Sequence, residues 1–241
     1  MELLNAIETR LKKQDSVYQL YSKGLDRLQS LVAKNDGLAE LKKLIQERKT
    51  RQFKKNQVIY YEGDKGYGLY LVISGKIKTI KQVTDGREFM TGMYTTDDYL
   101  GIHAILSNEA YADTATALED CQLCLIPKDQ LDELLNLYPE VARAFIKLLA
   151  NDILEKEDQL LQLAYHSVRK KLAEAILRIY RQQDSTEMSF KILREDLAAM
   201  AGMATETVSR TLADFKDEGL IEKKGGTITI LDPERLIKMK N

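Results

Sequence analysis

Between Arg194 and Ile230 the chain sets two short helical runs and a hairpin one after another, with so little linker that few folds can hold them. Leu197 and Ala198 begin the packing face of the first run. Gly202 stands where the chain must turn, and glycine takes a left-handed turn without steric cost. Val208, Leu212 and Phe215 then recur at helical spacing as the buried stripe of the second run. After Gly219, residues 219–230 read as a hairpin with the basic, glycine-rich tip Lys223-Lys224-Gly225-Gly226. A helix-turn-helix followed at once by such a hairpin predicts a winged DNA-binding domain, its second helix in the major groove. Thr205, Glu206, Ser209 and Arg210, together with Thr207, are the candidate base-reading residues near that helix's N-terminus. Arginine forks onto guanine, glutamate accepts from cytosine N4, and hydroxyls adapt to either. Lys223 and Lys224 are placed to touch phosphates. A plain surface ion pair between Glu206 and Arg210 is the bland alternative. The wing that follows outweighs it.

Charge does not announce this partner. The whole chain of 241 residues carries a formal net charge of −1. From His166 onward, 14 Lys and Arg face 12 Asp and Glu, so the DNA reading rests on pattern. A chain this long can bury two cores. No apolar run approaches a membrane span and no signal-peptide pattern opens the sequence, so a cytoplasmic protein is expected. Two cysteines, Cys121 and Cys124, make no disulfide framework, which agrees with a reducing compartment.

Upstream the periodicity changes twice. Residues 1–47 hold apolar positions at helical spacing (Leu3, Leu4, Ile7, Leu11, then Val17, Leu20, Tyr21, Leu25, Leu28) and predict amphipathic helix broken near Asp15 and Gly24. Seven of the 13 glycines then fall between Gly63 and Gly101, punctuating short β-branched and aromatic runs such as Val58–Tyr61, Leu69–Ile73 and Gly75–Lys81. That punctuation predicts an antiparallel barrel or roll, with Asp85-Gly86 as a tight turn. After Pro127 the pattern is helical again, and Pro139 opens a run that continues past Leu163. Ala142, Ile146, Leu149, Ile153, Lys156, Leu160 and Leu163 follow heptad spacing with Lys156 as the one polar member. Phe145, Leu148 and Leu161 form a second apolar flank, so one face can meet the roll and another a second copy of the chain. The expected fold is α+β: a helical segment 1–47, a β-roll effector domain 48–135, a dimerisation helix 136–165 and a winged helix-turn-helix 166–241.

Over roughly residues 40–241 the chain resembles the CRP/FNR family of bacterial regulators. The resemblance is carried by Tyr61-Glu62-Gly63-Asp64, by Leu69-Tyr70-Leu71-Val72-Ile73-Ser74-Gly75-Lys76-Ile77-Lys78, and by Gly202-Met203-Ala204-Thr205-Glu206-Thr207-Val208-Ser209-Arg210 with Glu218-Gly219-Leu220-Ile221. It implies a jelly roll of cyclic-nucleotide-binding type, a homodimer about the long helix, double-stranded DNA as partner and RNA polymerase as a further candidate partner. Glu206-x-x-Ser209-Arg210 is similar to the FNR branch, since the CRP branch carries arginine where Thr205 stands. The implied half-site is closer to TTGA than to TGTGA. Glu2 to Leu11 resemble the last helix of a response-regulator receiver domain, whose remaining parts do not precede it in this sequence, which implies a truncated or relict domain.

Relatives that bind cyclic AMP hold its phosphate with an arginine and its ribose with a glutamate after a glycine. Aligning Gly101 to that glycine places Ile102 at the glutamate position and Ala112 at the arginine position. No Lys or Arg occurs between Arg87 and Lys128, and a buried phosphate without a cation is costly, so cyclic AMP binding is not expected. Cys121 and Cys124, three apart in a strand, point to opposite faces and are read as structural. His103 and His166 stand alone, and Asp97 and Asp98 read as turn residues. No nucleophile, base and orienting group come together. No enzyme activity, metal or cofactor is expected. The competing reading is a ligand-binding regulatory module acting through protein partners.

Overall fold

The computed structural model describes residues 36–82, 86, 88–181 and 188–239. The receiver-like residues 2–11, the other apolar positions of the N-terminal run up to Leu28, and Thr84-Asp85 of the expected turn lie outside them. The described residues form two compact units, one ending at Thr79 and resuming over Gly92–Asp152, the other made of Ile80–Thr91 and the chain from Ile153 onward.

Eight strands build the roll: β1 (Arg51–Phe53), β2 (Val58–Tyr60), β3 (Gly68–Ser74), β4 (Ile77–Gln82), β5 (Glu88–Tyr94), β6 (Tyr99–Leu100), β7 (Thr114–Ala117) and β8 (Cys121–Pro127). They pair as two four-stranded sheets, β1-β8-β3-β6 and β2-β7-β4-β5. In the first sheet β1 and β3 flank β8 antiparallel, and β3 also pairs with β6. Alternate side chains of a strand face opposite ways, and β3 is buried on both. Leu69, Leu71 and Ile73 join one core with Cys124 and Ile126, whereas Tyr70 and Val72 join another with Leu123 and Cys121. Cys121 and Cys124 therefore lie in different cores, as their spacing predicts.

Helices close the first core. It takes Leu41 and Ile45 from α1 (Asp36–Gln46), Ile102 and Ile105 from α2 (Ile102–Ser107), and Leu131 and Leu134 from α3 (Lys128–Leu137). Val141, Ala144 and Phe145 come from the start of α4 (Pro139–Tyr165). Tyr138 breaks the helix between α3 and α4 at φ −127, because the residue before a proline is pushed out of helical backbone. Phe145 is fully buried and meets the Tyr99 ring edge-on at 5.4 Å between centroids. Three of the four outer strands have two or three residues, and the fourth, β5, has seven. β6 has two residues and β2 three, while β1 leaves Arg51 and Gln52 exposed between exposed Lys49 and Lys54.

The long helix was expected to divide cleanly into a roll face and a seam. Phe145 and Leu148 do pack on the roll core, but so does Leu149, which heptad spacing assigned to the seam. Leu149 stands four residues after Phe145 and so shares its side of the helix. Leu161, placed with Phe145 and Leu148 on one flank, is 58% exposed, because that core reaches along α4 only as far as Leu149. Lys156 donates from its ammonium to the carbonyl of Thr91 on β5.

The C-terminal part combines α5 (Val168–Arg181), β9 (Ser189–Lys191), α6 (Arg194–Ala201), α7 (Thr205–Asp217), β10 (Ile221–Lys224), β11 (Thr227–Ile230) and α8 (Pro233–Ile237). Its antiparallel sheet has the order β10-β11-β9. Leu172, Ile176, Phe190, Leu197, Val208, Leu212, Phe215, Ile228 and Leu236 are all buried.

Candidate DNA interface

Helices α6 and α7 meet at Gly202, whose φ of +62 and ψ of 41 are left-handed. Glycine adopts that backbone without steric cost. A β-carbon there would also stand 2.8 Å from Leu163 Cδ2, the movable end of a side chain, so it is the backbone conformation that calls for glycine. Met203 N–H donates to the Ala198 carbonyl at 3.1 Å, and Ala204 is extended (φ −70, ψ 147) before α7 begins. No side chain caps α7, which leaves its first N–H groups directed at whatever lies ahead of the helix.

The buried stripe of α7 is Val208, Thr211, Leu212 and Phe215, with Thr211 Oγ1 donating to the Thr207 carbonyl at 2.9 Å. Opposite it, Glu206 and Arg210 are exposed and Thr205, Thr207 and Ser209 half-buried. Among the described residues Glu206 and Arg210 make no ion pair with each other, so the bland surface pair is not formed. At the far end Arg169 of α5 clamps α7. Its guanidinium donates to both Glu218 carboxylate oxygens at 2.7 and 2.8 Å and lies 5.0 Å from the centre of the Phe215 ring. Arg169→Ala should cost about 1 kcal/mol, an exposed ion pair plus a cation–π contact. A thermal melt falling by about 2–4 °C would match that cost.

The wing is β10 and β11, with Lys224 opposite Thr227 across Gly225-Gly226. Gly225 has φ +61. Lys224 points into solvent, its Nζ 3.1 Å from Glu222 Oε1. Lys223 is half-buried, and its pKa is lowered first by burial and then by the charges of Arg194 and Lys216. Those two cations were not foreseen from sequence. They come from the first turn of α6 and the last turn of α7, and no spacing rule links them to the wing.

The interface has matches among known proteins. Residues 50–138 match the family model of the cyclic nucleotide-binding domain and residues 170–239 that of the Crp-like helix-turn-helix domain. The regulatory protein HlyX of Actinobacillus pleuropneumoniae is 30% identical over 198 residues, 80% of this chain and 81% of that protein. The chain belongs to the CRP/FNR family. The cyclic AMP receptor protein of Thermus thermophilus is 31% identical over 180 residues, 75% of this chain and 82% of that protein. FixK2 of Bradyrhizobium japonicum shares the fold, with a TM-score of 0.73 at 22% identity, covering 80% of this chain and 98% of the other. This CRP/FNR protein is a DNA-binding transcription regulator, and its relatives are regulators rather than enzymes. Among its described residues no helix is long and apolar enough to cross a membrane.

The CRP/FNR roll implies a cyclic nucleotide, and the residues present do not fit one. Ile102 is buried in the apolar core, Ala112 offers no polar group, and no cationic side chain lies between residues 88 and 127. The turn at Gly101 (φ +82) faces the ring of Tyr111, whose Cε1 would stand 2.7 Å from a β-carbon there. Asp113 stands nearby, accepting from Tyr60 Oη at 3.4 Å, and a carboxylate repels a phosphate. Asp98 is a turn residue as expected, accepting from Thr95 N–H at 2.8 Å, and Asp97 takes the left-handed φ of +76.

Proposed function

We propose that this regulator is a cytoplasmic homodimer that reads a near-palindromic operator of TTGA-like half-sites and takes no cyclic AMP, with RNA polymerase as a further partner. The observation that carries the reading is the exposed face of α7, where Glu206 and Arg210 stand clear of each other beside Ser209. Thr205 and Thr207 flank them, and Lys223 and Lys224 supply phosphate contacts from the wing. A docking surface for a protein partner would favour apolar anchors, which this face lacks. Support for the dimer is the exposed row Ile146, Ile153 and Leu160 on α4, each more than half accessible. Two recognition helices related by a dyad would enter successive major grooves about 34 Å apart.

Binding isotherms on cognate and scrambled duplexes across a salt series test this reading. Arg210→Ala should cost about 1–3 kcal/mol on the cognate operator and little on scrambled DNA, because it removes a base contact. Lys224→Ala should instead weaken both duplexes alike and flatten the salt dependence by about one unit. Equal losses on both duplexes for Arg210→Ala would make Arg210 a phosphate clamp and sink the proposed face.

A further inference from the structure

Tyr111 packs against the Gly101 turn of the roll. Its backbone is tied on both sides, the N–H donating to the Asp64 carbonyl and the carbonyl accepting from Gly63 N–H, each at 2.9 Å. Its phenol donates to the Gly68 carbonyl at 2.7 Å. The ring is stacked on Tyr60 with centroids 3.8 Å apart and planes 14° from parallel, and Tyr60 in turn packs near Tyr70 at 6.1 Å. Only 4% of Tyr111 is exposed, and burial pushes its phenol up to about 12. Gly101 lies against the ring edge.

The Gly101 turn starts α2, and α2 touches both cores. Ala104 belongs with Tyr60, Tyr70 and Tyr111, whereas Ile102 and Ile105 belong with Val141, Ala144 and Phe145 of α4. A displacement at the tyrosine stack is therefore transmitted through a one-and-a-half-turn helix to the long helix, because close-packed interiors pass strain on rather than absorb it. We propose that Tyr111 acts as a built-in effector, its ring bracing the Gly101 turn and α2 so that α4 is held in its DNA-binding position without a small molecule. This rests on the reading that the roll takes no cyclic AMP and extends it to a regulator that carries its own occupant.

The test measures operator affinity of the full chain, exhaustively dialysed, with and without cyclic AMP. It uses Tyr111→Ala, Tyr111→Phe, Tyr111→Leu and the control Leu123→Ala, which removes buried volume from the same core without touching the turn. Wild-type affinity should be unchanged by cyclic AMP. Tyr111→Ala should lose about tenfold or more while Tyr111→Phe stays within about threefold. Added phenol should raise both the melting temperature and the affinity of the alanine variant, since it matches the atoms removed beyond the β-carbon and refills the hole. If the alanine variant does not fold, Tyr111→Leu keeps the apolar volume without the flat ring and should show the same loss. A folded Tyr111→Ala or Tyr111→Leu variant that binds like wild type, or a Leu123→Ala loss equal to that of Tyr111→Ala, overturns the proposal while leaving the DNA reading intact. Wild type that needs cyclic AMP overturns the underlying reading as well.

Discussion

Replacing Ile153 by glutamate should convert the proposed dimer to monomer. Ile153 is 58% exposed in the single chain, in line with Ile146 at 61% and Leu160 at 65% on the same helix. In a two-fold pair each residue of such a row meets its own counterpart or near neighbours, so one substitution enters the interface twice. An uncompensated buried charge costs roughly 3–5 kcal/mol. Two of them raise the dissociation constant by about four orders of magnitude or more. Sedimentation at micromolar concentration should show a single monomeric species, and operator affinity should fall with it, because one half-site no longer tethers the other. A variant that remains dimeric would move the interface off α4. Lys156, the polar member of the heptad row, does not weaken this expectation, since its ammonium is engaged by the Thr91 carbonyl of its own chain.

Phe145→Ala should destabilise the roll by about 3–5 kcal/mol, the usual range for a large aromatic removed from a close-packed site. The side chain is fully buried, contacts Tyr99 edge-on, and is where α4 joins the core shared by α1, α2 and α3. Chemical denaturation followed by tyrosine fluorescence should show the midpoint falling with little change in slope. A loss below about 1 kcal/mol would mean that the site collapses around the gap, and the packing described for α4 would be wrong.

The two halves of this molecule were legible to different degrees, for physical reasons. The helix-turn-helix is made of contacts close in sequence, so Gly202 and the stripe Val208, Leu212, Phe215 suffice to place it. Periodicity also marks the strands of the roll, but their partners are distant: β1 pairs with β8 through Arg51–Leu123, and β2 with β7 through Val58–Thr116. Nothing local in a short aromatic run says which core a residue enters, so the stacking of Tyr60 on Tyr111 could not be read from spacing. The cationic group of Arg194, Lys216 and Lys223 was hidden for the same reason, since three elements converge only once folded. The seam of α4 was half legible. Heptad spacing found the exposed row but could not tell that Leu149 turns toward the roll.

The open margins of the two sheets narrow how copies of this chain can associate. A bare strand edge is an invitation to pair with another chain, and natural sheets discourage it with brevity and charge. Here β2 and β6 are too short to template a partner, and β1 presents Arg51 between Lys49 and Lys54, so a second copy approaching edge-on meets like charge. Self-association by sheet extension is closed at these margins. The longer margin of β5 is not blunted in this way, and the apolar row of α4 buries area only against a partner laid along it. The charged margin of β1 thus serves specificity: it closes one competing route to oligomers, and with it one route to aggregates.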